Sequence, residues 1–292
     1  MQQFVNLTLN GVILGAVYAA FALTLVLIFR ATRIINFGQG AQAMFTTYIA
    51  LTLIERGFSY WLAFLAALVS GFVIGAVVER VIVRPVETGP EINAVIVTLG
   101  VFVSFIALAA ILFGNTVQSF PAPFALRGIS VGEVNVAITP NDIYRLVAVL
   151  IAMVLLLTLF RFTSLGLQLR AAAFGQEVAR LLGVRVSRML TLGWAMAGLF
   201  GSLAGILIAS GSLVFPNYMD GIVVFGFVAA VLGGLDSFIG AVVGGTVLGL
   251  VTTYVAGYVD ASLVTLAALA ILVTVLLLKP GGLFSSSVAR KV

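Results

Sequence analysis

The sequence predicts an all-α fold, a polytopic transmembrane helical bundle of about eight or nine membrane segments, some of them broken or short. Three observations predict it. Only 9% of the 292 residues are charged and the mean hydropathy is +1.24, where globular proteins carry about 25% charged residues. Apolar runs long enough to cross a bilayer, about 20 residues each, recur along the whole chain. Every Asp, Glu, Lys and Arg falls at the end of such a run or between two of them.

The runs lie at about 9–29, 35–54, 60–78, 92–113, 143–160, 189–209, 221–235, 238–258 and 261–278. The first follows "MQQFVNLTLN", which has no positive n-region, and the first basic residue, Arg30, comes after the run. That order reads as a retained span and not as a secretory signal. With the amino terminus outside, 12 of the 15 basic residues fall on one side: Arg30, Arg33, Arg80, Arg84, Arg161, Arg170, Arg180, Arg185, Arg188, Lys279, Arg290 and Lys291. Only Arg56, Arg127 and Arg145 fall on the other. The positive-inside rule makes the richer side cytoplasmic, which places the carboxyl terminus there too and requires an odd number of crossings. The weak point is 221–258, "GIVVFGFVAAVLGGLDSFIGAVVGGTVLGLVTTYVAGYV". It reads either as two spans broken at Asp236 or as a short half-helix followed by a full one. An external loop at about 114–142 alternates apolar and polar residues through "ISVGEVNVAI", the signature of a small strand or hairpin. The chain forms a single membrane domain over 1–292.

Composition also excludes chemistry. With no cysteine and no histidine, disulfides, thiolates and ordinary zinc sites are absent, and no metal-binding or catalytic residue is assigned. No carboxylate sits inside a span to couple proton movement. Sodium held by the carbonyls of broken helices stays open as an alternative. Ser70, Thr98 and Ser104 read as helix-bonded hydroxyls and not as nucleophiles. The two lysines, Lys279 and Lys291, fit no phosphate-binding loop, so the chain cannot hydrolyse ATP in that manner. The basic residues lie between hydrophobic segments, which speaks against nucleic acid and for a lipid bilayer.

Glycine pairs at Gly11–Gly15, Gly71–Gly75, Gly201–Gly205, Gly240–Gly244 and Gly245–Gly249 have the GxxxG spacing that lets helix backbones approach in lipid. Gly233 and Gly234, in "VLGGLDSFIGAVVGG", differ: glycine density beside Asp236 suggests a broken segment able to line a passage. At the start of the second run, "RIINFGQGAQAMFTTYIA" sets Asn36, Gln39 and Gln42 about one turn apart. Three amides on one face are costly against lipid, so they face the interior. Interhelical hydrogen bonding and the lining of a pathway or gate both satisfy that requirement.

The stretch "RAAAFGQEVARLLGVRVSR", Arg170–Arg188, breaks the pattern with a basic, helix-forming insert inside a cytoplasmic loop at about 161–188. Ala171, Phe174, Val178, Leu181 and Leu182 fall on one side of a predicted helix, Gln176, Glu177 and Arg180 on another, and Gly183 ends it. Pattern alone leaves two readings, a helix lying on the lipid surface and a helix docked in a partner's groove.

"EVARLLG", Glu177–Gly183, resembles the EAA-type loop of ABC-transporter permeases, with Ala179 two residues and Gly183 six residues after the glutamate; Val178 departs from the usual alanine. More specifically, "ATRIINFGQG", "SFPAPF", "LRAAAFGQEVARLLGV" and "FVAAVLGGLDSFIGAVVGG" are similar, in order, to the LivH family of branched-chain amino acid ABC permeases. The resemblance implies that the insert is a coupling helix, with Arg170, Ala171, Phe174, Gln176, Glu177, Ala179, Arg180 and Gly183 facing an ATP-binding subunit. It implies a second permease subunit, two cytoplasmic ATPases that hold the ATP and magnesium, and an external substrate-binding protein. The substrate class is branched-chain or related small amino acids or amides, imported across the cytoplasmic membrane. The rival reading is a stand-alone channel for a small neutral solute such as urea, which needs no docking helix.

Overall fold

The computed structural model describes residues 2–86, 90–131, 134–136 and 138–284. In chain order the helices are α1 (Gln2–Thr32), α2 (Gln39–Glu55), α3 (Tyr60–Val77), α4 (Glu91–Phe113), α5 (Pro140–Phe162), α6 (Ser164–Phe174), α7 (Gln176–Leu181), α8 (Val186–Ala209), α9 (Asp220–Gly233), α10 (Phe238–Tyr258) and α11 (Val264–Leu278). Two short antiparallel pairs accompany them: β1 (Gln118–Ser119) with β4 (Leu213–Val214), and β2 (Ile129–Val131) with β3 (Val134–Val136). Each of the nine expected apolar runs is helical. Among the described residues, 7 helices are long and apolar enough to cross a membrane: α1, α3 with its extension to Val86, α4, α5, α8, α10 and Ala261–Leu278. The exceptions are α2, with 17 residues, and α9, with 14. At 1.5 Å per residue α9 reaches only about 21 Å, against a hydrocarbon core of about 30 Å. Segment 221–258 is therefore a short helix followed by a full-length one. Arg290 and Lys291, which enter the charge count, lie outside the described residues.

The chain forms two compact units, each discontinuous in sequence. One comprises Met1–Val26, Phe124–Met153 and Val224–Val292, the other Leu27–Pro123 and Val154–Val223.

In the first unit α1 and α10 run antiparallel with their glycines in contact. A Cβ on Gly15 would lie 2.6 Å from the Cα of Thr246, and one on Gly245 2.8 Å from the Cα of Ala19. No side chain fits there, which is the close approach that GxxxG spacing predicts. The Thr8 and Tyr254 hydroxyls meet at 2.8 Å near the far end of the pair. Between α9 and α10 the chain turns at Gly234, whose φ of 100° suits a residue without Cβ. The Ser237 hydroxyl then caps α10 by accepting from Gly240 N at 2.9 Å. The last carbonyls of α9, which lack helical partners, are satisfied from far along the chain. Leu283 N donates to Leu232 O at 2.9 Å, and Phe284 N to Gly233 O at 3.1 Å. The expected hairpin is β2–β3, registered with Ile129 opposite Val136; its turn, 132–133, lies outside the described residues.

The second unit is built on α8, whose Trp194, Ala197, Ile206 and Leu207 are buried. Helix α3 packs antiparallel to it, with Gly71 against Gly198 and Gly75 against Trp194. Helix α2 lies parallel to α8, with Gly201 beside Gln39 and Gly205 beside Ala43 and Thr47. Aromatic rings hold α4 on α2: Tyr48 stacks on Phe113 at 5.0 Å and Phe45 meets Phe105 edge-on at 5.2 Å. The three hydroxyls named above behave as structural groups. Ser70 donates to Ala67 O, Thr98 to Val95 O and Ser104 to Gly100 O, at 2.9, 3.0 and 2.7 Å.

Candidate functional site

The basic insert is two helices and not one. Gly175 adopts an extended backbone (φ −164°, ψ 101°) that ends α6 at Phe174 and starts α7 at Gln176. The single helix expected from Ala171 to Gly183 is thereby corrected. Ala171 and Phe174 belong to α6 and the "QEVARL" turn to α7. A lone glycine between two helix-forming stretches is the only mark of this break in the sequence. Thr163 caps α6, its hydroxyl accepting from Gly166 N at 3.1 Å. Gly183 ends α7 with φ 84°. Gly183 N donates to Arg180 O at 3.0 Å and Val184 N to Ala179 O at 2.9 Å, the paired bonds of a Schellman cap.

The insert is seated on α8 by small and aliphatic residues: Leu169 and Ala172 in α6 and Ala179 in α7 are buried. The larger apolar side chains point away. Phe174 is 90% exposed, Leu181 88%, Leu182 77% and Val178 62%. Glu177, Arg180 and Arg170 are exposed alongside them, with Arg170 Nε donating to Gly166 O at 3.4 Å. Ala171 and Gln176 are half-buried. The sequence pattern grouped Ala171 with the outward residues; the break at Gly175 sets it apart from the α7 residues of that group.

Asn36, Gln39 and Gln42 are buried, as three amides facing away from lipid must be. Two of them make structural hydrogen bonds and the third does not. Asn36 Nδ2 donates to Gln39 Oε1 at 2.9 Å, and Gln39 Nε2 donates to the Ala197 carbonyl of α8 at 2.8 Å. Asn36 Oδ1 also accepts from Gly38 N at 3.0 Å, shaping the entry to α2. That chain of bonds is interhelical structure, and Gly201 supplies the room for the Gln39 amide. Gln42 differs: neither its Oε1 nor its Nε2 has a hydrogen-bond partner among the described residues, and the same holds for the Tyr48 hydroxyl of the same helix. A buried amide left without partners costs free energy. Gly233 packs against the Gly240 backbone, and Gly234 lies against Gly282, at the α9–α10 corner.

One charged pair escaped the sequence reading. Glu79 is 2% exposed and forms a two-pronged ion pair with Arg84, the guanidinium nitrogens lying 3.0 Å from its oxygens. The partners stand five residues apart, wrong for an α-helix, but the turn Val78–Val83 is π-helical, and i→i+5 is the π-helix repeat. Arg84 reaches across to α8 as well, donating to Thr191 Oγ1 at 2.6 Å and Ser187 O at 3.2 Å. Pro85 directly after the arginine, closing the helix, was the available signal.

A family model described as the branched-chain amino acid transport system permease component matches residues 7–278. The chain is 27% identical to the high-affinity branched-chain amino acid transport system permease protein LivH of Escherichia coli K12, covering 99% of this chain and 98% of that protein. It is likewise 27% identical to the corresponding permease protein BraD of Pseudomonas aeruginosa, over 100% of this chain and 98% of the relative. A probable branched-chain amino acid transport permease protein LivH of Methanocaldococcus jannaschii is 24% identical over 94% of this chain and 90% of its own length. The match runs from α1 to the end of α11 and takes in the insert, both short helices and the glycine contacts, so this multi-pass membrane protein belongs to the branched-chain amino acid transport system permease family.

Proposed function

We propose that the chain is the membrane subunit of an ABC importer for branched-chain or related small amino acids, and that it carries no catalytic step. The observation that carries this reading is the outward face of the insert. Phe174, Val178, Leu181 and Leu182 are exposed on a support whose inner residues Leu169, Ala172 and Ala179 are buried. Exposed apolar clusters of this kind mark interaction surfaces. The proposed partner is a cytoplasmic ATP-binding subunit, whose groove takes these side chains while Glu177, Arg180 and Arg170 set the register. ATP and magnesium belong to two such subunits. A second permease chain and an external binding protein complete the machine.

In this reading the amino terminus is outside and the insert is cytoplasmic, in keeping with the arginine distribution. Residues 1–292 act as one transport domain. ATP-driven closure of the ATPases moves α6 and α7, and α8 conveys that movement through Ala172 and Leu169. Gln42 supplies a polar group to the pathway, Asn36 and Gln39 hold its helix against α8, and Gly233 and Gly234 provide a compact corner. A substrate with an uncharged side chain suits an interior where the Glu79–Arg84 and Asp142–Arg145 ion pairs sit at helix ends.

The test is co-purification from the native membrane in mild detergent, with partners identified by mass spectrometry and uptake then measured in liposomes. An ATP-binding subunit, a second permease and ATP-dependent leucine uptake are expected. A chain that purifies alone and passes urea without ATP would make it a channel, with α6 and α7 resting on lipid.

A further inference from the structure

On one side of α3 and α8 lies a cleft of about 240 Å³. Its lining includes Phe72 and Ala76 from α3, Arg80 from the π-helical turn that extends it, and Arg188, Thr191 and Leu192 from α8. The two helices are antiparallel, so Arg80 and Arg188 come together at one end, while Phe72 and Leu192 form an apolar floor further in. Arg80 lies eight residues beyond Phe72 along the helix, about 12 Å at the usual rise. Arg188 stands in the first turn of α8 and Arg80 near the end of the apolar span Tyr60–Val86. Both therefore sit where a spanning helix leaves the hydrocarbon, and the floor lies within it.

Among the described residues, no acid neutralises the charge at this mouth. Glu79, the acid adjacent to Arg80, is turned inward and paired with Arg84. Arg84 in turn occupies Thr191 and Ser187 on the α8 side. Neither Arg80 nor Arg188 forms an ion pair among the described residues. A soluble anion would use the arginines and leave the floor empty; a neutral lipid would use the floor and leave two guanidinium groups uncompensated.

We infer that this cleft is a binding site for an anionic phospholipid, with its phosphodiester between Arg80 and Arg188 and the first part of an acyl chain on Phe72, Ala76 and Leu192. Guanidinium groups match phosphate oxygens in charge and in geometry, and basic pockets between transmembrane helices suit anionic headgroups. The inference requires only that α3 and α8 cross a bilayer, and it stands whatever solute the chain carries.

The experiment is native mass spectrometry of the full chain, purified with its partners, during titration with dioleoylphosphatidylglycerol or dioleoylphosphatidylcholine. The wild type is expected to retain the phosphatidylglycerol about thirtyfold more tightly, since two interfacial arginines at about 1 kcal/mol each contribute together toward an anionic lipid. Arg80→Gln with Arg188→Gln should abolish that preference, Arg80→Lys with Arg188→Lys should largely keep it, and Ala76→Trp should block the floor and reduce binding of both lipids. Arg56→Gln with Arg127→Gln, which removes two arginines outside the cleft and the insert, should leave it intact. Equal binding of the two lipids by the wild type would overturn the inference, as would an unchanged preference in the glutamine pair. Displacement of the lipid by soluble glycerol 3-phosphate would overturn the role of the apolar floor. A photoreactive residue replacing Phe72 that labels a protein subunit in place of lipid would make the cleft a protein contact and overturn it too. If the glutamine pair fails to fold, the lysine pair and Ala76→Trp decide the matter on the same titration.

Discussion

At the scale of single residues, two buried polar positions with opposite circumstances lead to opposite expectations. Glu79 is buried and fully engaged by Arg84. Glu79→Gln removes the charge and leaves the arginine to lipid and α8. Breaking a buried pair costs about 3–5 kcal/mol, and because Arg84 is 30% exposed we expect about 2 kcal/mol here. The check is a drop in the thermal midpoint of the detergent-solubilised protein. Gln42 is buried and bonded to nothing described. Gln42→Leu should raise the midpoint by relieving a penalty of about 1–3 kcal/mol while lowering leucine uptake by the assembled complex. A raised midpoint with unchanged uptake would remove Gln42 from the pathway. The sequence made the three amides Asn36, Gln39 and Gln42 visible as costly groups in lipid, but it could not divide them, and it missed the Glu79–Arg84 pair. Whether Gln39 meets a carbonyl depends on the placement of Ala197, 158 residues away.

At the scale of elements, the insert shows where pattern reading succeeds and where it fails. Its helical character, its termination at Gly183 and its apolar residues were all readable, because capping glycines and helical spacing are local properties. The break at Gly175 was not, because a glycine within a helix-forming run is tolerated as often as it interrupts. Helix α9 was legible as one of two alternatives, a short half-helix before a full one; its length accords with Gly234 at the turn and with the bonds that arrive from Leu283 and Phe284. Two substitutions test the insert. Gly183→Trp places a side chain at φ 84° and removes the cap, costing about 1 kcal/mol or more locally. Glu177→Lys reverses a charge on the exposed face. Each is expected to abolish capture of the ATP-binding subunit in a pull-down, with membrane insertion unchanged by protease protection. Normal capture by both variants would remove the docking role. A further check lies at the turn after α10, where the Asp260 carboxylate accepts from Ser262 N at 2.7 Å. The Ser262 hydroxyl beside the carboxylate, and after it that backbone bond, hold its carboxyl below the ordinary aspartate range. With a depressed folded pKa, the stabilisation is present above the usual Asp value and is lost as pH falls through the lowered one. Amide exchange at Ser262 should accelerate relative to its neighbours only in that acid window, and Asp260→Asn should erase the pH dependence.

At the scale of the whole molecule, the nine apolar helices among the described residues, their order and the exposed apolar surface of the insert support a transport subunit that works inside a larger assembly. Co-expression with a matched ATPase should raise the yield of folded chain several-fold over expression alone, read by size-exclusion profile, since burial of Phe174, Leu181 and Leu182 removes a sticky surface. The arrangement at the end of α9 has a consequence for biogenesis. This helix leaves its last carbonyls bare until Leu283 and Phe284 arrive, and those residues are synthesised only after α10 and α11. A ribosome making this protein therefore holds α9 in an incomplete state through the production of two further helices. During that interval water or the insertion machinery has to satisfy those carbonyls. A chain truncated after Leu278 should consequently be inserted yet recognised by quality-control proteases, and its half-life in pulse-chase labelling should fall well below that of the intact chain.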